Sequence, residues 1–186
     1  NTLIFKTSLP FFTTLYSWYI LDMRALDDLL IQSLFSDETD VFLPDISETV
    51  WEDLDYFGWI HPDGRSGFIA LESPNDGKLK GVKLQRQKNL KIKPRSEMCS
   101  WCHFVHKSNG TSFFSVEVKG SGGRRNLGNL LCSDLGCSSR VRTPRYSDSL
   151  MQELTYEPSR IFRMKIAMHR WLGRANLLWG QPKQLK

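Results

Sequence analysis

Two stretches decide the fold: Met98-Cys99-Ser100-Trp101-Cys102 and Leu131-Cys132-Ser133-Asp134-Leu135-Gly136-Cys137, which between them hold every cysteine in the chain. Two short chelate loops separated by 29 residues have the spacing of a tetrahedral zinc site. Two residues between ligands let the backbone turn tightly enough to aim both sulfurs at one metal. The longer second loop does the same where a knuckle runs into a helix. The competing readings are four buried thiols or two disulfides, and bridges inside loops this short would be strained and easily reduced. One structural Zn2+ on Cys99, Cys102, Cys132 and Cys137 is the expectation. Thiols kept for metal imply a reducing compartment, hence the cytoplasm.

Charge divides the chain. Residues 1–78 carry 4 Lys/Arg against 14 Asp/Glu, a net of −10, whereas residues 79–186 carry 21 against 6, a net of +15. A Zn2+ with four thiolates has a net charge of about −2, which a few nearby cations stabilise. The remaining positive charge calls for an acidic partner: RNA, a ribosomal surface or an acidic protein.

Residues 1–22 form an apolar, aromatic extension, and the first methionine is Met23. They lack a basic start and a small-residue cleavage site, and they are too hydroxyl-rich for a membrane span of about 20 apolar residues. The expectation is a translated upstream extension or lineage-specific tail outside the fold, with a membrane anchor as the alternative. An acidic α+β part then covers residues 23–98, a zinc-binding part 99–180 and a tail 181–186.

Met23 opens a helical pattern running to Leu34, and Ser47 or Thr49 caps a short helix through Trp51 and Leu54. Tyr56–Ile60, Gly67–Leu71 and Lys80–Leu84 read as an antiparallel meander, with turns at His61-Pro62-Asp63-Gly64 and Pro74-Asn75-Asp76-Gly77. Trp51 and Trp59 are expected in its core. Thr111–Val118 alternates as a strand, and Gly120–Gly128 is a basic, glycine-rich loop. A hairpin bearing the first ligand pair, then a strand and helix bearing the second, is the treble-clef arrangement. In the last segment Ile161, Met164, Ala167, Trp171, Leu172, Ala175 and Leu178 form an apolar helical stripe. Arg160, Arg163, Lys165, Arg170 and Arg174 are expected on its exposed face, with Ser159 capping the start and Gly180 and Pro182 ending it.

The order of motifs resembles the elongation-factor-G-binding family, the zinc-binding domain of FusB-type fusidic-acid resistance proteins and their actinobacterial relatives. The resemblance rests on Trp51-Glu-Asp-Leu-Asp-Tyr-Phe-Gly-Trp-Ile-His-Pro62, the two cysteine stretches, Arg124-Arg125-Asn126-Leu-Gly128 and Leu150-Met-Gln-Glu-Leu154. It covers roughly residues 45–175. It implies a treble-clef zinc domain that binds elongation factor G and promotes its release from the ribosome, with the four cysteines as ligands. Two departures stand out. The helical N-terminal domain of FusB-type proteins is absent or reduced to residues 23–50, and Leu130 replaces an aromatic residue common in actinobacterial relatives.

Four cysteines leave a zinc ion no open position for water, and the chain contains no HExxH, GxSxG or phosphate-binding GxxxxGKS. His103 and His106 read as polar residues flanking the first knuckle. The expectation is a binding protein and not an enzyme. Arg124, Arg125, Arg140 and Arg142 would supply charge to an acidic patch on elongation factor G. Phe113 or Phe114, whichever stays out of the core, would supply an apolar anchor. The alternative is a ribosome- or RNA-binding zinc module without that specificity.

Overall fold

The computed structural model describes residues 23–87, 95–143, 151 and 153–178. The elements in chain order are α1 (Asp28–Leu34), a 3-10 turn (Trp51–Asp53), β1 (Phe57–Ile60), β2 (Ser66–Glu72), β3 (Leu79–Arg86), β4 (Glu97–Met98), β5 (Val105–His106), β6 (Thr111–Glu117), β7 (Asn126–Cys132), α2 (Cys137–Arg142) and α3 (Glu157–Arg174). The class is α+β. Antiparallel strands in the order β1-β2-β3-β6-β7 form the main sheet, and β4-β5 is a separate small hairpin. Strands from both sides of residue 98 share that main sheet.

The burial pattern along each strand tells which faces are covered. In β2 the run Gly67–Leu71 is buried throughout, the mark of a strand with packing on both faces. Ile69 and Leu71 enter one core together with Leu84, Phe114, Trp101 and the stripe of α3. Phe68 and Ala70 enter a second core with Met23, Leu26, Ile31, Phe35 and Trp59. Strand β6 instead alternates: Ser112, Phe114 and Val116 are buried, while Phe113 and Glu117 face solvent. The residues preceding β1 therefore cover one face of β1–β3, and the corresponding face of β6–β7 is left uncovered by the described residues.

Several sequence expectations shift in detail. The first helix begins at Asp28, not Met23, because Asp27 caps it by accepting from Leu30 N at 2.7 Å. The short helix after Ser47 is a single 3-10 turn, and Asn126–Gly128, expected in a loop, belong to β7. Trp59 is core as expected, its Nε1 donating to Phe42 O at 2.8 Å, and Trp51 packs against the same cluster. The apolar stripe of α3 is as expected, but its cationic face is not. Arg160 and Lys165 are buried, at 6% and 5% exposure, since each finds acceptors inside the protein: Val141 O for Arg160 and Asp55 for Lys165. Arg170 and Arg174 do face solvent.

Ser159 lies inside α3 and does not cap it; Pro158 in the first turn supplies the start. The helix ends at Arg174 because Asn176 takes the left-handed conformation (φ 57°) and Leu177 N donates to Leu172 O. Gly180 and Pro182 lie outside the described residues, as do residues 1–22 and the tail.

Candidate metal centre

Each pair of cysteines is delivered by a local backbone device. In the first knuckle, Cys99 N donates to Phe104 O and His103 N to Cys99 O, both at 3.0 Å, closing the β4–β5 turn around the sulfurs. Trp101 N points at Cys99 Sγ, 3.4 Å away. In the second, Cys132 ends β7, Leu135 N donates to Cys132 O, and Cys137 opens α2. Both loops need one left-handed residue, His103 and Leu135, each with φ 59°.

These loops bring all four sulfurs within 4.8 Å of one another. Cys99 Sγ lies 3.7 Å from Cys137 Sγ, and Cys102 Sγ 3.5 Å from Cys132 Sγ, so the contacts run between the knuckles. The geometry fits zinc: with Zn–S bonds of about 2.3 Å, a regular tetrahedron has S–S edges of about 3.8 Å. A disulfide would need a separation of about 2.05 Å, and all four cysteines are free. All four are also buried.

Burial opposes charge on Cys99, yet hydrogen bonds from Cys102, Cys132 and Cys137 hold its pKa well below the ordinary thiol value. The Cys132 and Cys137 thiols are pushed well up, first by hydrogen bonding with Cys102. Four sulfurs this close cannot all ionise without a cation among them, which is the chemistry a divalent metal supplies.

Around the sulfurs sits a shell the sequence reading did not find. Tyr56, fully buried just before β1, donates its hydroxyl to Leu135 O at 2.6 Å and accepts from Cys137 N at 3.4 Å. Burial and the neighbouring Cys137 push its pKa well up, so it stays a neutral hydroxyl bracing the second knuckle. Trp101 is wedged edge-on against Tyr56 and Trp171, with ring centroids 5.6 and 5.7 Å away. His106 Nε2 lies 3.3 Å from Cys132 Sγ, and burial lowers its pKa, so a neutral ring meets the sulfur. Gly110 is obligatory beneath it, since an added Cβ would come within 2.0 Å of His106 Nδ1. A histidine four residues after Cys102 was the available signal for this contact; Tyr56 carried none.

The expected partner residues fall into different settings. Phe114 is fully buried. Phe113 is 38% exposed and reaches over Gly128, where a Cβ would meet the ring Cζ at 2.0 Å. Arg140 is held by Asp134 through two 2.8 Å bonds and covers the Phe104 ring. Arg142 donates to Asp55 Oδ2 at 2.7 Å and Ser138 O at 3.1 Å. Arg124 and Arg125 remain exposed on the β6–β7 hairpin.

A knuckle, a β-hairpin and a helix supplying four thiolates to one centre define a treble-clef zinc finger, and one Zn2+ is its cofactor. The chain belongs to the FBP C-terminal treble-clef zinc-finger family, which matches residues 28–174. Among solved structures it is similar to the fusidic acid resistance protein FusC, with 15% identity and a TM-score of 0.55 over 83% of this chain and 60% of that one. At that identity the likeness speaks for the fold alone, and the chain spans less than two thirds of FusC. Comparison with curated proteins finds no match. Among the described residues no helix is long and apolar enough to cross a membrane.

Proposed function

We propose that this chain is a non-catalytic cytoplasmic protein that binds elongation factor G and promotes its release from the ribosome. The family match over residues 28–174 carries the reading, and the similarity to a protein whose name is fusidic acid resistance protein FusC agrees with it. The site chemistry supports the absence of catalysis: four sulfurs occupy all four tetrahedral positions, so no metal-bound water is available for activation.

Zinc here supplies folding free energy, and the protein's own residues make the contact. The face of β6–β7 that the described residues leave uncovered offers Phe113 beside its cross-strand partner Leu130. An exposed aromatic on a rigid sheet loses little conformational freedom on docking, which suits it to anchor an interface. Release requires that the chain bind tighter to the form of elongation factor G that fits the ribosome less well.

The test is dissociation of elongation factor G from ribosomes with and without this chain, alongside co-elution of the two purified proteins. Phe113→Ala should weaken the complex about tenfold, or about 1.4 kcal/mol. Absence of co-elution between the zinc-loaded chain and elongation factor G would overturn the reading.

A further inference from the structure

Many cations in the described structure are ion-paired, among them Arg24 with Glu72, Lys83 with Glu38, Arg140 with Asp134, Arg142 with Asp55 and Arg163 with Glu153. Where the β6–β7 hairpin meets the end of α3 the situation reverses. Lys119, Arg124 and Arg125 on the hairpin are exposed, as are Arg170 and Arg174 on the last turns of the helix. None of these five makes an ion pair with an acidic group among the described residues. Lys119 N donates to Ala175 O at 2.9 Å, which locks hairpin and helix end together. That bond also caps a carbonyl at the helix's partially negative end, where an anion would otherwise be repelled.

Between the two lies a cleft of about 540 Å³, larger than a single phosphate needs. Lys119, Arg124, Arg125, Ser121 and Asn176 line it, and among the described residues no acidic or aromatic side chain does. The exposed carboxylate of Glu117 accepts from Gly123 N at 2.6 Å and does not line the cleft. Gly120, Gly122 and Gly123 hold φ of 86°, 60° and 76°, and added Cβ atoms there would meet nothing within 4 Å, so the rim is open as well as charged.

We propose that this cleft seats the sugar–phosphate backbone of a nucleic-acid duplex, independently of elongation factor G binding. Unpaired cations converging on one cleft repel each other, and a polyanion relieves that repulsion while releasing its counterions. The lining excludes two other occupants. A protein interface needs an apolar centre, and the cleft's apolar side chain, Val118, is buried at 5% exposure. Sequence-tolerant single-strand binders stack bases on aromatic rings, and none of the described residues lining the cleft is aromatic. What remains is phosphate contact without base reading, which duplex geometry presents continuously.

The experiment is fluorescence anisotropy of the full, zinc-loaded chain with a short mixed-sequence RNA duplex across salt from about 50 to 200 mM. A DNA duplex of the same sequence and polyglutamate serve as parallel probes. Affinity for the RNA duplex should fall steeply with salt. Changing Lys119, Arg124 and Arg125 together to Gln should lower low-salt affinity at least tenfold. The slope against log salt should drop by about one per cation removed. Arg125→Gln alone should drop it by about one, while Phe113→Ala leaves RNA affinity within about twofold. Equal binding of DNA assigns the contact to phosphate alone; preference for RNA adds the 2′-hydroxyl. Three results would overturn the proposal: no duplex binding at low salt, an unchanged slope in the folded triple variant, or polyglutamate binding as tightly as the duplex.

Discussion

One sheet separates two cores built on different principles. On one face, Ile69, Leu71, Leu84 and Phe114 pack with the α3 stripe around the four cysteines. On the other, Phe68 and Ala70 meet Met23, Leu26, Ile31, Phe35 and Trp59. The second core is fixed by ring geometry: Phe35 stands edge-on to Trp59 and Phe68, and Trp59 stacks on Phe68 with centroids 5.4 Å apart. Both helices on the first face pack against the cysteine-bearing core. Cys137 begins the six-residue α2, which is far too short to be stable alone, and α3 packs over the buried knuckles. Aromatic packing can lose one contact and still hold; a metal centre loses its function when one ligand goes. The two faces should therefore fail differently.

The largest effect belongs to the metal side. Cys132→Ala removes a ligand at the junction of β7 and α2, and structural zinc contributes on the order of 10 kcal/mol to folding in small sites. The expected result is loss of stoichiometric zinc together with the cooperative melting transition of this lobe. A variant keeping one zinc per chain and a normal melt would refute the assignment. Phe68→Ala strikes the other core at a fully buried ring and should cost about 3–5 kcal/mol. It should nevertheless retain full zinc, because Phe68 points away from the cysteines. Zinc loss in that variant would mean the two faces fold as one inseparable unit.

A charged strap joins the two sides. Asp55, from the acidic half, accepts from Arg142 of α2 at 2.7 Å and lies 3.5 Å from Lys165 of α3. Its backbone N donates to Ser138 Oγ as well. Removing the carboxylate leaves two cations largely buried without their counter-charge, a change that costs about 3 kcal/mol or more. Asp55→Ala should lower the melting temperature and loosen α2, read as faster amide exchange there, with zinc stoichiometry retained. Unchanged exchange in α2 would show that the metal alone positions that helix.

How much of this was legible in the sequence follows from the range of the interactions. The ligands, the knuckles and the antiparallel strands are written in local spacing: Cys99 to Cys102, Cys132 to Cys137, and alternation through Thr111–Val118. The apolar stripe of α3 is likewise a local periodicity, and it held. What was not legible lies in pairings across long separations. Asp55 with Arg142 spans 87 residues and Tyr56 with Cys137 spans 81. Such partners turn apparently solvent-facing cations into buried ones, as with Arg160 and Lys165. Periodicity ranks positions by polarity, and a paired cation in a core has the same letter as a free one on a surface. Family-level motif order supplied the treble clef, but it did not distinguish Arg140 and Arg142, which are ion-paired to Asp134 and Asp55, from Arg124 and Arg125, which stand exposed without an acidic partner among the described residues.

The smallest effect sharpens the same comparison by titrating the boundary between the charged strap and the metal-side core. His169 on α3 is buried at 6% exposure, and burial, aided by the nearby Lys165 and opposed by Asp55, lowers its pKa to about 4. The folded value lies below the ordinary 6.5, so between the two the unfolded chain holds a proton that the folded chain does not. Acid therefore favours unfolding over that window, and the penalty is absent above about pH 6.5 and grows as pH falls toward 4. Between pH 7 and pH 5 this amounts to about 2 kcal/mol or less. Thiolate protonation adds its own acid sensitivity, but it is common to the wild-type chain and a His169→Gln variant. Denaturant unfolding of both at the two pH values isolates the histidine: the variant should lose less stability on acidification. Equal losses in the two proteins would place the acid response at other groups, the sulfurs and the depressed His103 and His106 among them, leaving the strap side of the core insensitive to pH.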